Sequence, residues 1–197
     1  MATNPRSVAR PVDRLFLDRW SPRAFDASKV DQLDLDTILD AARWAPSAFN
    51  YQPWRFLYAH RDSTDWERFL GLLLPFNAAW AEPAGVLIFV LSDSLIETGA
   101  SPAHIASHSH SFDTGAAWAL LALQATRLGY HTHGMSGIDQ EKARAELSVP
   151  DRFRIEAAVA LGRRAEKAIL PESLQAREGP SGRRELEEYA YPGSFRG

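Results

Sequence analysis

The sequence has no cysteine among its 197 residues. Disulfide bonds, thiolate metal ligands and cysteine nucleophiles are therefore excluded, and any catalysis must proceed without sulfur chemistry. A chain without disulfides is consistent with a reducing compartment, and we expect a cytoplasmic protein.

Long apolar runs and basic runs are missing as well. The most apolar stretch, residues 84–91, is far too short to cross a bilayer, and residues 1–15 contain no apolar segment of signal-peptide length. The formal net charge is −3, and the lysines and arginines form no long run that could follow a nucleic-acid backbone. We therefore expect neither a membrane nor a nucleic acid as a partner.

Two common phosphate-binding motifs are also absent. No GxGxxG follows a predicted strand and no GxxxxGK occurs, so the usual dinucleotide and nucleoside-triphosphate cradles are missing. The sequence also shows no dyad of a nucleophile and a general base. If a phosphate is bound, other groups must hold it.

Hydrophobic residues make up 45% of the chain, enough for a packed core, and we expect a single domain over residues 1–197. The strands and helices alternate without the spacing of a regular βαβ series, which favours an α+β fold. Apolar runs predict strands at 54–59 and 85–91, both in the middle of a sheet, a strand or loop at 131–138 and a strand at 154–161. Apolar periodicity and capping residues predict helices at 31–44, 64–80 with a break at Pro75, 113–128 and 139–147.

The predicted helix from Asp113 is apolar on almost all sides up to Gln124, and Gly129 follows it at the position where a positive φ is needed. Such a helix must be covered on several sides. We expect a protein core or a dimer interface to cover it.

A short basic motif, R-x-S-x-R, lies at Arg19, Ser21 and Arg23. Two guanidinium groups and a hydroxyl within five residues could hold a phosphate through charge-assisted and bidentate hydrogen bonds. Taken alone, the motif is more often structural or solvated, because isolated exposed charges carry little energy.

A second cluster, A-P-S-A-F-N-Y-Q-P-W, occupies residues 45–54. Two prolines stiffen its ends, while Ser47, Asn50 and Gln52 offer donors and acceptors suited to the edge of a heterocycle. The alternative is a capped turn that leads into a strand with Trp54 in the core, and spacing alone favours this alternative.

Taken together, the two motifs resemble the opening signature of the nitroreductase family of flavoproteins. Residues 19–25 match R-x-S-x-R-x-F, and residues 45–54 match A-P-S-x-x-N-x-Q-P-W in the same order. The resemblance continues in residues 77–84 before a buried strand, in Asp-Thr-Gly-Ala at 113–116, and in the basic pair and acidic residues of 182–188. It covers nearly the whole chain.

The resemblance implies an α+β, nitroreductase-like fold in which helices flank a central, mostly antiparallel sheet. It further implies an intertwined homodimer with FMN at each of two sites lined by both subunits. The implied activity is hydride transfer from NAD(P)H through FMN to a small, aromatic acceptor such as a nitroaromatic or a quinone, in a ping-pong cycle.

The resemblance also assigns roles to individual residues. Arg19 and Ser21 would hold the ribityl phosphate, and Arg183 and Arg184 would return to it from the tail. Arg23 would lie near flavin N1 and O2, where a cation stabilises the negative charge of reduction. The flavin ring would be contacted by Pro46, Ser47, Ala48 and Asn50 of the other subunit, and by the backbone of Gly134, Met135 and Ser136.

A departure from the family pattern at Trp20 and the segment 64–80 lead to further expectations. Trp20 stands where the family often has a basic residue, and it could reduce the phosphate charge or add a stacking wall. The segment 64–80 could form a lid. Its aromatic residues suggest an apolar or aromatic acceptor pocket, with a plain core role as the alternative; they are Trp66, Phe69, Phe76 and Trp80.

Alternatives of other classes stay open at this point. The histidines at 104, 108 and 110 and the pair at 131 and 133 could bind a metal, but no carboxylate accompanies them in a recognisable ligand pattern, so we expect no metal site. The same fold could also belong to a noncatalytic flavin-binding protein, a flavin-dependent dehydrogenase or a flavin-fragmenting enzyme. No fixed motif with a ribose-reading acidic residue distinguishes NADH from NADPH.

Overall fold

The computed structural model describes residue 6, residues 8–99 and residues 103–196. A four-stranded antiparallel sheet forms the centre, with the strand order β1-β2-β6-β5, and a separate hairpin pairs β3 with β4. The strands are β1 (Trp54–His60), β2 (Val86–Asp93), β3 (Leu95–Glu97), β4 (His104–Ala106), β5 (His131–Met135) and β6 (Phe153–Gly162).

Helices lie on both faces of the sheet. They are α1 (Arg14–Asp18), α2 (Gln32–Ala42), α3 (Trp66–Leu70), α4 (Pro75–Ala81), α5 (His110–Arg127), α6 (Gln140–Glu146) and α7 (Glu172–Gln175). Short 3₁₀ turns occur at Ala48–Asn50, Lys167–Ile169 and Leu186–Glu188. Within the described residues, no helix combines the length and the apolar character that crossing a bilayer requires.

Strand β2 organises the core because every one of its residues is buried. Its side chains alternate between the two faces of the sheet. Leu87, Phe89 and Leu91 pack into the core that includes α3, α4 and α6, whereas Val86 and Ile88 pack into the core that includes α2 and α5. The continuous apolar run therefore predicted this strand and its central place correctly.

Strand β1 is an edge strand of this chain, so its predicted place in the middle of the sheet was wrong. Among the described residues it pairs with β2 alone, and only Trp54 and Ala59 of its side chains are buried. The chain also begins the longest helix earlier than predicted, at His110 instead of Asp113, while Gly129 has the expected positive φ of 78°. Helix α2 ends at Ala42, two residues before its predicted end.

The aromatic residues of the 64–80 segment lie mostly in the core, which is the alternative that the sequence left open for them. Pro75 separates α3 from α4, as predicted, and stands in the first turn of α4. Trp66, Phe69 and Trp80 are buried against the sheet, and Phe76 alone of the four is exposed. Burial of apolar area explains the first three residues without any ligand.

Candidate functional site

An open cleft of about 650 Å³ brings both ends of the chain together. One wall comes from the segment around residues 19–23, and the other comes from the tail between residues 175 and 183. Six of its side chains are cationic and one is a carboxylate; they are Arg6, Arg19, Arg23, Lys167, Arg177, Arg183 and Glu178. Such an excess of positive charge suits the cleft to a negatively charged ligand.

Arg19, Ser21 and Arg183 meet at one end of this cleft. Arg19 Nη1 lies 3.3 Å from Ser21 Oγ, and Arg183 Nη1 donates to Ser181 Oγ at 2.9 Å. Burial lowers the pKa of Arg19, and the nearby charge of Arg183 lowers it further. The structure thus places together Arg19 and Arg183, two of the basic residues that are predicted to hold one phosphate, although 164 positions separate them in the sequence.

Arg6 joins this end of the cleft, and the motif analysis missed it. Its Nε donates to the Ser181 carbonyl at 2.9 Å, and its Nη1 donates to the carbonyls of Leu17 and Arg19 at 2.9 and 2.8 Å. Arg6 therefore ties the N-terminal segment to the tail. A lone arginine in a polar stretch carries no local pattern that could have revealed this role.

Arg23 is anchored at another part of the cleft through its backbone. Glu178 Oε1 accepts hydrogen bonds from the N–H groups of Arg23 at 2.8 Å and Ala24 at 2.9 Å. The Arg23 guanidinium lies 5.8 Å from the centre of the Trp80 ring. Burial and the charge of Arg177 lower the pKa of Arg23, while Glu178 opposes them, so the guanidinium is a cation that gains from an anionic neighbour.

The histidines of β5 form a neutral wall beside these cations. His133 Nδ1 lies 2.9 Å from the Pro22 carbonyl, to which it donates, and its ring centre lies 4.5 Å from that of Trp80. His131 packs edge-on against the buried Trp20 with ring centres 6.2 Å apart. Burial is the main cause that lowers the pKa of each histidine to about 4.

In the described part of the chain, no arrangement of side chains matches the competing hypothesis of a metal site. No group of three or more histidine, aspartate or glutamate side chains there could hold a metal ion. His104 lies 3.7 Å from Glu97, and His110 Nδ1 lies 2.7 Å from Ser92 Oγ. The histidines are thus spread over several sites with separate partners.

The loop at residues 46–52 lies outside the cleft of its own chain, with Pro46, Ser47, Ala48 and Asn50 on it. Three of its non-glycine residues have positive φ, namely Phe49 at 51°, Asn50 at 54° and Gln52 at 53°. Such left-handed conformations cost on the order of 1 kcal/mol each and persist only where the surroundings hold them. The loop is therefore held in a shape that the chain alone would not favour.

Asp113 supplies much of that support. Its buried carboxylate accepts through Oδ2 from the Ala48 N–H at 3.1 Å and from Ser109 Oγ at 2.9 Å. A further bond closes the loop on itself, because the Gln52 N–H donates to Ser47 Oγ at 3.1 Å. The Asp-Thr-Gly-Ala motif thus has a structural reason that the sequence alone did not show.

Replacing Asp113 with alanine is expected to lower the free energy of unfolding by about 2 kcal/mol, since it leaves a partly buried N–H and a partly buried hydroxyl without a charged acceptor. Asp113→Asn keeps an amide oxygen at the same place and is expected to cost less than about 1 kcal/mol. Urea unfolding of the two variants provides the measurement. Equal losses in both variants would contradict the role of this hydrogen bond.

The remaining predicted residues do not line the cleft. Gly134 and Ser136 are exposed on β5 and just after it, and Met135 is buried in the core. A side chain at Gly134 would approach Trp118 to 3.3 Å, so the strand runs close to α5 there. Arg184 is exposed and does not line the cleft. The structure therefore gathers Arg19, Trp20, Ser21, Arg23 and Arg183, and leaves the other predicted residues outside this cleft.

The profile of the nitroreductase family matches residues 17–78 and 72–163. The chain belongs to the nitroreductase family. Similar proteins support this membership over the full length. A solved oxidoreductase containing FMN is 51% identical, with a TM-score of 0.96, and the match covers 100% of this chain and 99% of the other.

Two more distant members of the comparison agree with the nitroreductase assignment. An NADH dehydrogenase from Thermus thermophilus is 31% identical over 180 residues, which cover 77% of this chain and 85% of the relative. A solved FMN complex from Desulfovibrio desulfuricans is 25% identical, with a TM-score of 0.72, and the match covers 96% of this chain and 100% of the other. The predicted family and its α+β fold with an antiparallel central sheet are confirmed.

Proposed function

We propose that this nitroreductase-family chain is an FMN-dependent oxidoreductase that takes hydride from NAD(P)H and delivers electrons to a small acceptor. The single observation that carries the proposal is the meeting of Arg19, Ser21 and Arg183 in one cationic cleft. The 51% identical relative is an oxidoreductase containing FMN, and the similarity extends over the entire cleft because it covers the whole chain.

The cleft suits FMN in its charge and in its division into two ends. Arg19, Ser21 and Arg183 would hold the phosphate, since guanidinium groups bind phosphate oxygens through paired hydrogen bonds. Arg184 follows directly in sequence and would add charge only if the tail shifted, because its side chain lies outside the cleft. Trp20 contributes a buried wall against His131 and brings no charge to the phosphate.

Bound FMN supplies the two-electron chemistry, so the protein needs no nucleophile of its own. Arg23 would place a cation near flavin N1 and O2, where it stabilises developing negative charge. The anchor from Glu178 to the Arg23 backbone holds the start of that side chain in place. His133 is neutral at physiological pH because its pKa is about 4, and it therefore does not compete with Arg23 for the anion.

A homodimer is part of the proposal, and exposed apolar side chains support it. Trp44, Phe49 and Phe112 are 73%, 92% and 82% exposed in the single chain. Trp44 also borders a shallow, mostly apolar groove with Leu120 and Leu123 of α5. An apolar surface of this kind marks an interaction site, and a second copy would cover it.

In that dimer the flavin ring would receive residues from both chains. The loop with Pro46, Ser47, Ala48 and Asn50 would reach the partner's flavin, since it does not line the cleft of its own chain. The backbone of Gly134, Met135 and Ser136 would approach the ring from its own chain. The positive φ values show that the loop has a strained backbone in the single chain. Strained backbone of this kind is often found at functional sites.

The proposed acceptor is a small aromatic molecule of the nitroaromatic or quinone type. Phe76 is the exposed aromatic residue of the 64–80 segment, and Asn77 Nδ2 beside it donates to the Gly137 carbonyl at 3.2 Å. This bond places the start of α4 next to the end of β5, where the ring would be approached. We propose that NAD(P)H and the acceptor use the same flavin face in turn, in a ping-pong cycle.

The visible spectrum and anaerobic stopped-flow mixing test the proposal together. The purified protein is expected to be yellow, to lose its flavin absorbance on mixing with NADH or NADPH, and to regain it on mixing with a quinone. Parallel double-reciprocal lines in steady-state kinetics are expected for the ping-pong order. A yellow protein that neither nucleotide bleaches would indicate noncatalytic flavin binding, and a colourless protein with a stoichiometric transition metal would favour the metal hypothesis.

A further inference from the structure

Five of the six cations that line the cleft fall into two groups, and the charges within each group act on one another. Arg6, Arg19 and Arg183 form the first, since each of Arg6 and Arg19 has its pKa lowered by burial and then by the charge of Arg183. Arg23 and Arg177 form the second, since the charge of Arg177 lowers the pKa of Arg23. Both groups line the same cleft.

Arg177 stands on a segment whose backbone is fixed at the cleft. Its N–H donates to the Leu174 carbonyl at 3.0 Å, and the next N–H, that of Glu178, donates to the Gln175 carbonyl at 3.2 Å. Glu178 in turn binds the backbone at Arg23. The Arg177 side chain is exposed, so a fixed backbone presents a cation to the open part of the cleft.

Lys167 presents a second such cation from the start of the 3₁₀ turn Lys167–Ile169. It is exposed and lines the same cleft. No ion pair involves Lys167 or Arg177 within residues 6, 8–99 and 103–196. Two cations are thus held at the cleft without an acidic partner.

One phosphate does not neutralise this cleft. The phosphate of FMN at Arg19, Ser21 and Arg183 offsets the first group of cations, and Arg23 faces the flavin in the proposed function. Glu178 is the lining carboxylate, and its Oε1 already accepts from two backbone N–H groups. Lys167 and Arg177 therefore remain for an anion other than FMN.

We propose that Lys167 and Arg177 bind the 2′-phosphate of NADPH and make NADPH the preferred reductant over NADH. The inference rests on the proposed function, because the reductant must enter the cleft that holds FMN. NADPH carries a phosphate monoester that NADH lacks, and lysine and arginine are the side chains that bind such a group. Charge-assisted bonds to one phosphate correspond to a preference of about 10- to 100-fold.

The test compares the FMN-loaded wild type with Lys167→Gln, Arg177→Gln and the double variant. The wild type is expected to have a kcat/KM at least about tenfold higher for NADPH than for NADH, and the double variant is expected to lose most of this ratio. Lys29→Gln removes an exposed lysine outside the cleft and is expected to keep the wild-type ratio.

A binding measurement gives a readout that does not depend on turnover. Isothermal titration of the FMN-loaded, oxidised enzyme with adenosine 2′,5′-bisphosphate is expected to show binding that weakens about tenfold in the double variant. Binding of 5′-AMP, which lacks the 2′-phosphate, is expected to change far less. The Kd for FMN is expected to stay within about twofold in each variant, because the residues that hold the FMN phosphate are intact.

Other results would overturn either the NADPH subsite or the proposed function. Equal use of NADH and NADPH by the wild type, or a preference for NADH, would refute the NADPH subsite and leave the proposed function standing. An unchanged nucleotide ratio in the double variant, with a shifted flavin potential or a weakened FMN complex, would assign Lys167 and Arg177 to the flavin instead. Failure of both nucleotides to reduce the flavin would refute the proposed function itself.

Discussion

Arg19→Gln is expected to weaken FMN binding about 100-fold, and combining it with Arg183→Gln is expected to weaken it about 1000-fold or more. Arg19 is partly buried, so its hydrogen bonds to a phosphate form where water competes little. Arg183 lies on the opposite wall, and its charge already acts on Arg19. Titration of the apoprotein with FMN, followed by flavin fluorescence, measures the affinity.

Two further variants make this experiment specific. Arg10→Gln removes an exposed arginine whose partner is Glu187 on the surface, and it is expected to leave the Kd for FMN within about twofold. Arg184→Gln is expected to weaken FMN binding by less than about threefold, because Arg184 lies outside the cleft. A larger loss of FMN affinity in Arg184→Gln than in Arg183→Gln would show that Arg184, and not Arg183, holds the phosphate.

The substitutions Arg19→Gln and Arg183→Gln are expected to leave the apoprotein at least as stable as the wild type. Arg19 and Arg183 repel each other in the empty cleft, and burial disfavours the charged form of Arg19. Removing Arg19 therefore removes an unfavourable charge as well as a ligand contact. Loss of FMN together with a loss of several kcal/mol in stability would show that Arg19 acts in the fold and not in the site.

Local sequence patterns correctly predicted a strand that is buried on both faces and helix ends that depend on a single residue. The apolar run of β2 predicted a strand covered on both faces, and both faces are covered. The positions of Gly129 and Asp139 predicted a helix end and a helix start; Gly129 has a φ of 78°, and the Asp139 carboxylate accepts from the Lys142 N–H. In each case a single residue type satisfies a local backbone requirement.

The same patterns failed where distant parts of the chain decide the outcome. The aromatic residues Trp66 and Trp80 suit a core and a pocket equally well in sequence, and the sheet beneath them settled the choice. Helix α1 has five residues and none of them is buried, so no apolar period marked it. The 95–97 and 104–106 hairpin strands are too short to show alternation.

The cleft shows the same division between local and distant information. The R-x-S-x-R motif is local and was found, but the opposite wall comes from a tail without periodicity. Arg6 reaches Ser181 across 175 positions of sequence, and Glu178 reaches Arg23 across 155. Contacts of this separation follow from the fold of the whole chain, so only the family resemblance could suggest Arg183 in advance.

Acidification from about pH 7.5 to about pH 5 is expected to lower the free energy of unfolding by about 2 kcal/mol for each of His131 and His133. The folded pKa of each histidine is about 4, against 6.5 as the ordinary value. Burial is the main cause for both; the charge of Arg164 adds to it at His131, and those of Arg23 and Arg19 add to it at His133.

The sign follows from proton uptake. Between pH 6.5 and pH 4 the unfolded chain binds protons at these histidines and the folded chain does not, so stability falls as the pH falls through this window. Urea unfolding at both pH values, in the wild type, His131→Asn and His133→Asn, measures the effect. Each substitution removes one titrating group and is expected to reduce the pH-dependent loss by its share.

His104→Asn provides the matched comparison, because His104 is an exposed residue of β4. It leaves His131 and His133 in place and is expected to keep the pH-dependent loss that these two residues cause. If His133→Asn kept that loss as well, the imidazole of His133 would have to accept a proton in the folded protein without cost. A charged His133 would then add positive charge beside Arg19 and Arg23, and the cleft would bind FMN more tightly at pH 5 than at pH 7.5. Tighter binding in acid would therefore contradict the neutral wall proposed for this site.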